Sequence, residues 1–186
     1  SIAEPGVVRH IEGNRFPVGE LDGSDSERVR MVSSLFEQAG FKARVLDDIR
    51  SEIWLKLWGN LTFNPISALT HATLVDICQF TQTRELAATM MTEAQAIGER
   101  LGARFRVPME RRIAGAEGVG KHKTSMLQDV EAGKPLEVDG MLGVVVELAE
   151  VTGVEVPTLR ALYACVSLLN KTIQAERVRI KAAPFA

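Results

Sequence analysis

From Ile49 onward, apolar residues recur at three- and four-residue spacing in one stretch after another, a period that confines most of the chain to packed helices. The first such stretch runs from about Ile49 to Leu69 and carries Trp54, Leu55, Leu57, Trp58, Leu61 and Phe63. Pro65 falls inside it, so a kink or break is expected near Asn64. A second helix is predicted over about Arg84 to Leu101, where Leu86, Met90, Ala94, Ile97 and Leu101 share a face and Gly102 ends the run. Met90 and Met91 read as filler in its core. Shorter helices are predicted at about Met109 to Ala114, Ser125 to Glu131 and Gly140 to Val151. The last begins at Pro157, which suits a helical first turn, and its stripe is Leu159, Leu162, Val166, Leu169 and Ile173. The tail from Ala182 to Ala186 is expected to fray.

The opening residues have a different character. Val7 to Ile11 and Arg15 to Val18 read as strands of a hairpin turning at Glu12-Gly13-Asn14. Ser24 and Glu27 form a capping box for a helix that ends at Gly40, and Phe41 to Leu46 reads as another strand. Residues 1–48 thus form a strand, strand, helix, strand segment, too small to bury its own faces. The helical part is expected to occupy 49–186.

Bulk properties narrow the function classes. The 22 basic and 24 acidic side chains leave a net charge of −2, and aromatics make up 5% of residues, so a basic face with stacking rings for nucleic acid is not expected. The apolar run at Met141 to Val146 stops at Glu147, far short of the roughly 20 residues of a membrane helix. Cys78 and Cys165 form no metal or redox spacing, and His10, His71 and His122 fall into no zinc motif. With no basic-then-apolar leader in the sequence, a reducing cytoplasm is the expected location.

Two groups of residues could do chemistry. Lys56, Asn60 and Asn64 are four residues apart, and each such step turns a helix by only about 40°, so all three share a face. That polar row lies among apolar neighbours, as expected of the lining of an enclosed cleft, although a solvated stripe on a surface helix fits the spacing equally. A lysine so placed can protonate or polarise a carbonyl oxygen. The second group follows Lys121-His122-Lys123-Thr124. Ser125 and Gln128 form a capping box, and a helix N-terminus is a natural seat for a carboxylate or phosphate. Taken alone, the segment reads more readily as a cap without a ligand. Further on, Asp139 can cap the next helix, which leaves Glu137 without an obvious structural task. Gly115 to Lys121 imitates a phosphate-binding P-loop, but His122 stands where a magnesium-binding hydroxyl belongs and no strand precedes it. A mobile glycine-rich loop leading to Ser125 is the better expectation.

Taken in order, these pieces resemble the ketopantoate (2-dehydropantoate 2-) reductase family of 2-oxo-acid reductases. Pro5-Gly6-Val7 and Gly19-Glu20-Leu21-Asp22-Gly23 resemble the closing strands of that family's nucleotide domain. Trp54 to Asn60 with Asn64-Pro65, His122 to Asp129, and Glu137-Val138-Asp139-Gly140 resemble the signatures of its helical domain. The resemblance implies a mainly α fold: an all-helical C-terminal domain of the 6-phosphogluconate dehydrogenase type, preceded by a short α/β remnant of a Rossmann-type, NADP-binding domain. It implies Lys56 as the general acid toward the ketone oxygen as NADPH delivers hydride. Asn60 and Asn64 would hold substrate oxygens, Ser125 its carboxylate, and Glu137 would sit where substrate and nicotinamide ribose meet. The implied reaction is reduction of 2-dehydropantoate to pantoate in pantothenate and coenzyme A biosynthesis, with a homodimer possible through the helical domain. The stretch Ala72 to Val75 lacks an asparagine that some members carry, and the glycine-rich dinucleotide fingerprint is absent from these residues. A related 2-oxo acid, a sibling hydroxy-acid dehydrogenase and a catalytically silent helical dimerisation or binding module are the alternatives.

Overall fold

The computed structural model describes residues 2–10 and 13–182, so the expectations for Ile11, Glu12 and residues 183–186 lie outside it. The described chain divides into two units, Ser1–Ile53 and Trp54–Ala186.

In the first unit, strands β1 (Ile2–Glu4) and β2 (Val7–Val8) pair antiparallel. Their turn is Pro5-Gly6, with Gly6 at φ +80°, the left-handed position that a type II turn reserves for glycine. This corrects the expected hairpin: Val7 pairs backward with β1, while Arg15 and Val18 form parallel bridges to Lys42 and Val45. Phe16 N–H donates to Lys42 O at 2.8 Å, and Leu46 N–H to Val18 O at 2.8 Å. Parallel neighbours need a crossover, and helix α1 (Glu27–Gln38) supplies it. The rings of Phe16, Phe36 and Phe41 meet at centroid distances of 5.0 to 6.1 Å. The cap of α1 is also corrected. Ser26, not Ser24, accepts from Val29 N–H, because the helix begins at Glu27 and places Ser26 at its N-cap.

Helix α2 (Ile49–Thr70) starts on the Asp48 carboxylate, which accepts from Ser51 N–H at 3.2 Å. It is followed by α3 (Leu74–Gln79), α4 (Thr81–Arg100), α5 (Met109–Gly118), α6 (Ser125–Ala132), α7 (Val144–Thr152) and α8 (Pro157–Glu176). A π-helical segment, Asp139–Gly143, leads into α7. Short α3 was not anticipated from the sequence. Of the kink or break expected near Asn64, a break does not occur: α2 runs through Pro65 as one helix. An internal proline removes one ladder bond and costs about 3 kcal/mol. Here burial of Leu61, Phe63, Ile66 and Ala68 on both sides holds the helix together.

The core of the helical unit is built on Trp58, Leu61, Met90, Met91, Leu142 and Leu159, all fully buried. Trp58 Nε1 donates to Met91 O at 2.7 Å, joining α2 to α4 and satisfying an indole that burial would otherwise penalise. Val156, the residue at the N-cap of α8, provides no side-chain cap. Glu93 of α4 does so instead, accepting from Thr158 and Leu159 N–H at 3.0 and 2.9 Å. Among the described residues no helix is long and apolar enough to cross a membrane, and no cluster of His, Cys, Asp or Glu is arranged to hold a metal ion.

Candidate active site

The row on α2 exists as a graded surface. Lys56 is exposed, Asn60 half-buried and Asn64 buried. Within the helical unit the row passes from solvent toward the core, so its Asn64 end is enclosed and its Lys56 end open. Asn64 Nδ2 donates to Met141 Sδ at 3.8 Å, a weak acceptor on the π-helical segment. Among the described residues, the amide of Asn60 and the ammonium of Lys56 have no hydrogen-bonding or ionic partner in the protein.

Helix α6 brings the second group. Thr124, not Ser125, is its N-cap, accepting from Leu127 N–H at 3.2 Å. Gln128 does not close a box with Ser125 but donates to Lys123 O at 3.0 Å. Ser125 is thereby displaced from the cap to the first helical position, exposed, with its hydroxyl unpaired among the described residues. Backbone N–H groups in that first turn lack intrahelical acceptors.

The loop before α6 is shorter and more firmly held than expected. Gly115 and Gly118 belong to α5, and Leu74 and Val75 N–H donate to His122 O and Gly120 O at 3.1 and 3.2 Å. Lys123 Nζ is paired with both Glu131 oxygens at 2.7 and 2.9 Å.

Glu137 is exposed and makes no hydrogen bond or ion pair among the described residues. Asp139 does not cap the following segment, whose N-cap is Val138. Its carboxylate accepts the Tyr163 hydroxyl at 2.8 Å instead, which makes that phenol less acidic and pushes its pKa above the usual range. Burial pushes the Asp129 carboxyl upward, with the charge of Glu137 adding and that of Lys134 opposing, so Glu137 lies within electrostatic reach of α6. A depression of about 480 Å³ lined by Val138, Asp139, Asn170, Lys171 and Gln174 includes none of the five candidate residues.

One residue escaped the sequence reading. Arg112 of α5 is half-buried, and its Nε is enclosed without a partner. The signal was present: Arg112 interrupts the stripe of Met109, Ile113 and Ala116 at helical spacing, whereas neighbouring Arg111 is exposed. Its guanidinium lies on α2 at Gly59, where a Cβ would come to 2.8 Å from Cζ and 3.2 Å from Nε, closer still to Nη2.

The helical unit and its polar row place the chain in a fold class that reductases and dehydrogenases share. D-mandelate dehydrogenase, solved in a ternary structure with NADH and anilino(oxo)acetate, superposes at a TM-score of 0.79 over 90% of this chain and 70% of its own, at 18% identity. That likeness is one of fold alone. Residues 48–170 match the family described as "Ketopantoate reductase PanE/ApbA C terminal", and the chain belongs to this family. It is 55% identical over 165 residues to the 2-dehydropantoate 2-reductase of Mesorhizobium japonicum, covering 89% of this chain and 51% of that protein. The crystal structure of 2-dehydropantoate 2-reductase from Methylococcus capsulatus superposes at a TM-score of 0.83 with 30% identity, over 93% of this chain and 60% of its own. The chain spans about half the length of the curated relatives it matches. The mainly α fold implied by the sequence stands.

Proposed function

We propose that these residues are the substrate-handling part of an NADPH-dependent 2-oxo-acid reductase whose substrate is 2-dehydropantoate. The observation that carries this reading is a contrast within the helical unit. Lys56, Asn60, Ser125 and Glu137 have no hydrogen-bonding or ionic partner among the described residues, and Asn64 has only a thioether. Polar neighbours such as Thr124, Lys123, Gln128 and Asp139 are all engaged. Unpaired polar groups carried by a rigid scaffold are what a ligand site requires.

In this reading Lys56 supplies the proton that the carbonyl oxygen takes up, because an ammonium is both a donor and a positive charge at the oxygen where negative charge develops. Asn60 and Asn64, one and two turns further on, orient the substrate's oxygens. Ser125 and the first-turn N–H groups of α6 receive its carboxylate. Glu137 sits at the edge shared with the nicotinamide ribose, and residues 1–48 are the closing segment of the nucleotide-binding domain.

The residues present do not themselves fit the dinucleotide. Helix α1 of the first unit begins among Asp22, Asp25 and Glu27, carboxylates that repel a pyrophosphate, and no glycine-rich turn leads from a strand into it. A homodimer built on the helical unit is part of the same proposal, and a soluble cytoplasmic location accords with it.

The test is NADPH consumption by the protein complete with its nucleotide-binding half, using 2-dehydropantoate beside a panel of other 2-oxo acids. Turnover of 2-dehydropantoate should fall by roughly 10²- to 10⁴-fold in Lys56→Ala, the usual range for a lost general acid. Preference for another member of the panel would transfer the assignment to a sibling dehydrogenase. Absence of any 2-oxo-acid-dependent oxidation would sink the reductase reading.

A further inference from the structure

Arg112 is an oddity that the proposed reaction leaves unused. Its guanidinium has no hydrogen-bonding or ionic partner among the described residues. An arginine stays charged even when burial lowers its basicity, which is the direction here. A half-buried cation without a counter-charge is destabilising, because desolvation is opposed by nothing. Exposed Arg28 and Arg30 of the first unit, by contrast, each hold a carboxylate in a two-pronged pair.

The location is as specific as the absence of a partner. The side chain leaves α5 on its core face and ends on α2 at Gly59, where only the missing Cβ leaves it room. Gly59 is three residues beyond Lys56 and adjacent to Asn60. Side chains three apart on a helix have Cβ atoms about 5–6 Å from each other. The guanidinium therefore occupies the place of a side chain at position 59, one helical turn from the Lys56 stem. Lys56, Arg112 and Asn60 line one edge of α2, two positive charges and an amide.

We propose that Arg112 is a second binding residue for the carboxylate of the 2-oxo acid, seated by Gly59 beside the proton donor and sharing with Ser125 the four lone-pair sites that the two oxygens offer. This rests on the reductase reading of Lys56. In a 2-oxo acid the carboxylate carbon is bonded directly to the carbonyl carbon, so an oxygen served by Lys56 brings the carboxylate within a few ångströms of it. A planar guanidinium matches a carboxylate with two parallel N–H···O bonds, a geometry an ammonium cannot supply. Ligand binding then gives the half-buried cation the counter-charge it lacks in the free protein. Arg112 makes the site select for the acid over its uncharged amide or ester.

The experiment uses the complete protein with 2-dehydropantoate, its primary amide and NADPH. Charge-assisted hydrogen bonds of this kind correspond to about a ten- to hundredfold change in affinity. Arg112→Met, which keeps the volume and removes the charge, should raise KM for the acid by that factor and collapse the preference for acid over amide. KM for NADPH should not move, and Arg112→Lys should recover part of the loss. Gly59→Ala should reproduce the KM effect with the arginine intact, because the new methyl displaces the guanidinium. It keeps the proposal testable if Arg112→Met folds poorly. Exposed Arg111→Met is the control and should change nothing. An active wild type whose Arg112→Met and Gly59→Ala variants keep the KM for the acid would overturn the arginine assignment and leave the reductase standing. So would a rise confined to KM for NADPH, which would mean a cofactor phosphate is bound instead. A wild type inactive on every 2-oxo acid would remove both.

Discussion

The two units of this chain use their polar side chains in opposite ways. In the first, charges around α1 satisfy one another: Glu20 takes Ser26 and both prongs of Arg28, and Asp25 takes Arg30. In the helical unit, the polar groups that hold shape are also engaged, as Trp58 with Met91 and Glu93 with the start of α8 show. Yet a second set, Lys56, Asn60, Ser125 and Arg112 on helices and Glu137 in the segment between α6 and the π-helical turn, is left unpaired. A fold can carry such residues only if packing elsewhere supplies its stability. The aliphatic, methionine and tryptophan core does so here. The difference separates side chains that make the structure from side chains that the structure presents.

If that division holds, replacing members of the two sets should change different observables. The largest effect belongs to the shape-holding set. Trp58→Ala should cost about 3–5 kcal/mol through a cavity at the α2–α4 contact and the loss of the bond to Met91 O. Thermal unfolding should show this as a fall of roughly 10 °C or more, since each kcal/mol moves a domain of this size by about 2–4 °C. By contrast Lys56→Met and Ser125→Ala should leave the melting temperature within about 1–2 °C, as surface substitutions do. A drop in melting temperature for the unpaired residues matching that of Trp58→Ala would dissolve the distinction.

A smaller effect sharpens the boundary. Glu93→Gln retains the shape of the side chain but replaces a charge-assisted cap on α8 with a neutral one. It should cost about 1 kcal/mol in chemical unfolding without changing KM for any 2-oxo acid. Loss of substrate affinity in this variant would show that the α8 cap and the site are coupled, contrary to the division.

Much of this was legible in the sequence, for a reason particular residues make plain. The period of Leu159, Leu162, Val166, Leu169 and Ile173 is local, and so is the spacing of Lys56, Asn60 and Asn64; local geometry turns both directly into faces. What was not legible depended on distant partners. Which hydroxyl caps α1 or α6 was settled by Ser26, held on the Glu20 carboxylate, reaching Val29 and by Thr124 reaching Leu127. Asp139 was withdrawn from capping by Tyr163, twenty-four residues away. Pro65 kept its helix because of tertiary burial, and Arg112 gained its meaning from a glycine on another helix. Local period specifies a face, whereas competition among polar partners needs the assembled fold.

The smallest effects are electrostatic, and Glu20 of the first unit and Asp129 of the helical unit shift in opposite directions. In the first unit, the Arg28 guanidinium and then the Ser26 hydroxyl hold the Glu20 carboxyl below its usual range. A carboxyl whose folded pKa is depressed contributes stability that is present above its unfolded pKa and lost as pH falls through the folded one. Glu20→Gln should therefore flatten the acid side of the stability curve. Asp129 of α6 is pushed the other way, first by burial and then by the charge of Glu137. Its ionised form is disfavoured in the folded chain, so stability from this group is fully present below the unfolded pKa and declines as pH rises through the folded one. Asp129→Asn should remove that decline, and Glu137→Gln should reduce it in part. Melting temperatures of the three variants across about pH 3 to 7, the span in which carboxyls titrate, measure both slopes. Equal signs for Glu20→Gln and Asp129→Asn would mean that the Asp129 carboxylate is engaged in the folded chain as that of Glu20 is.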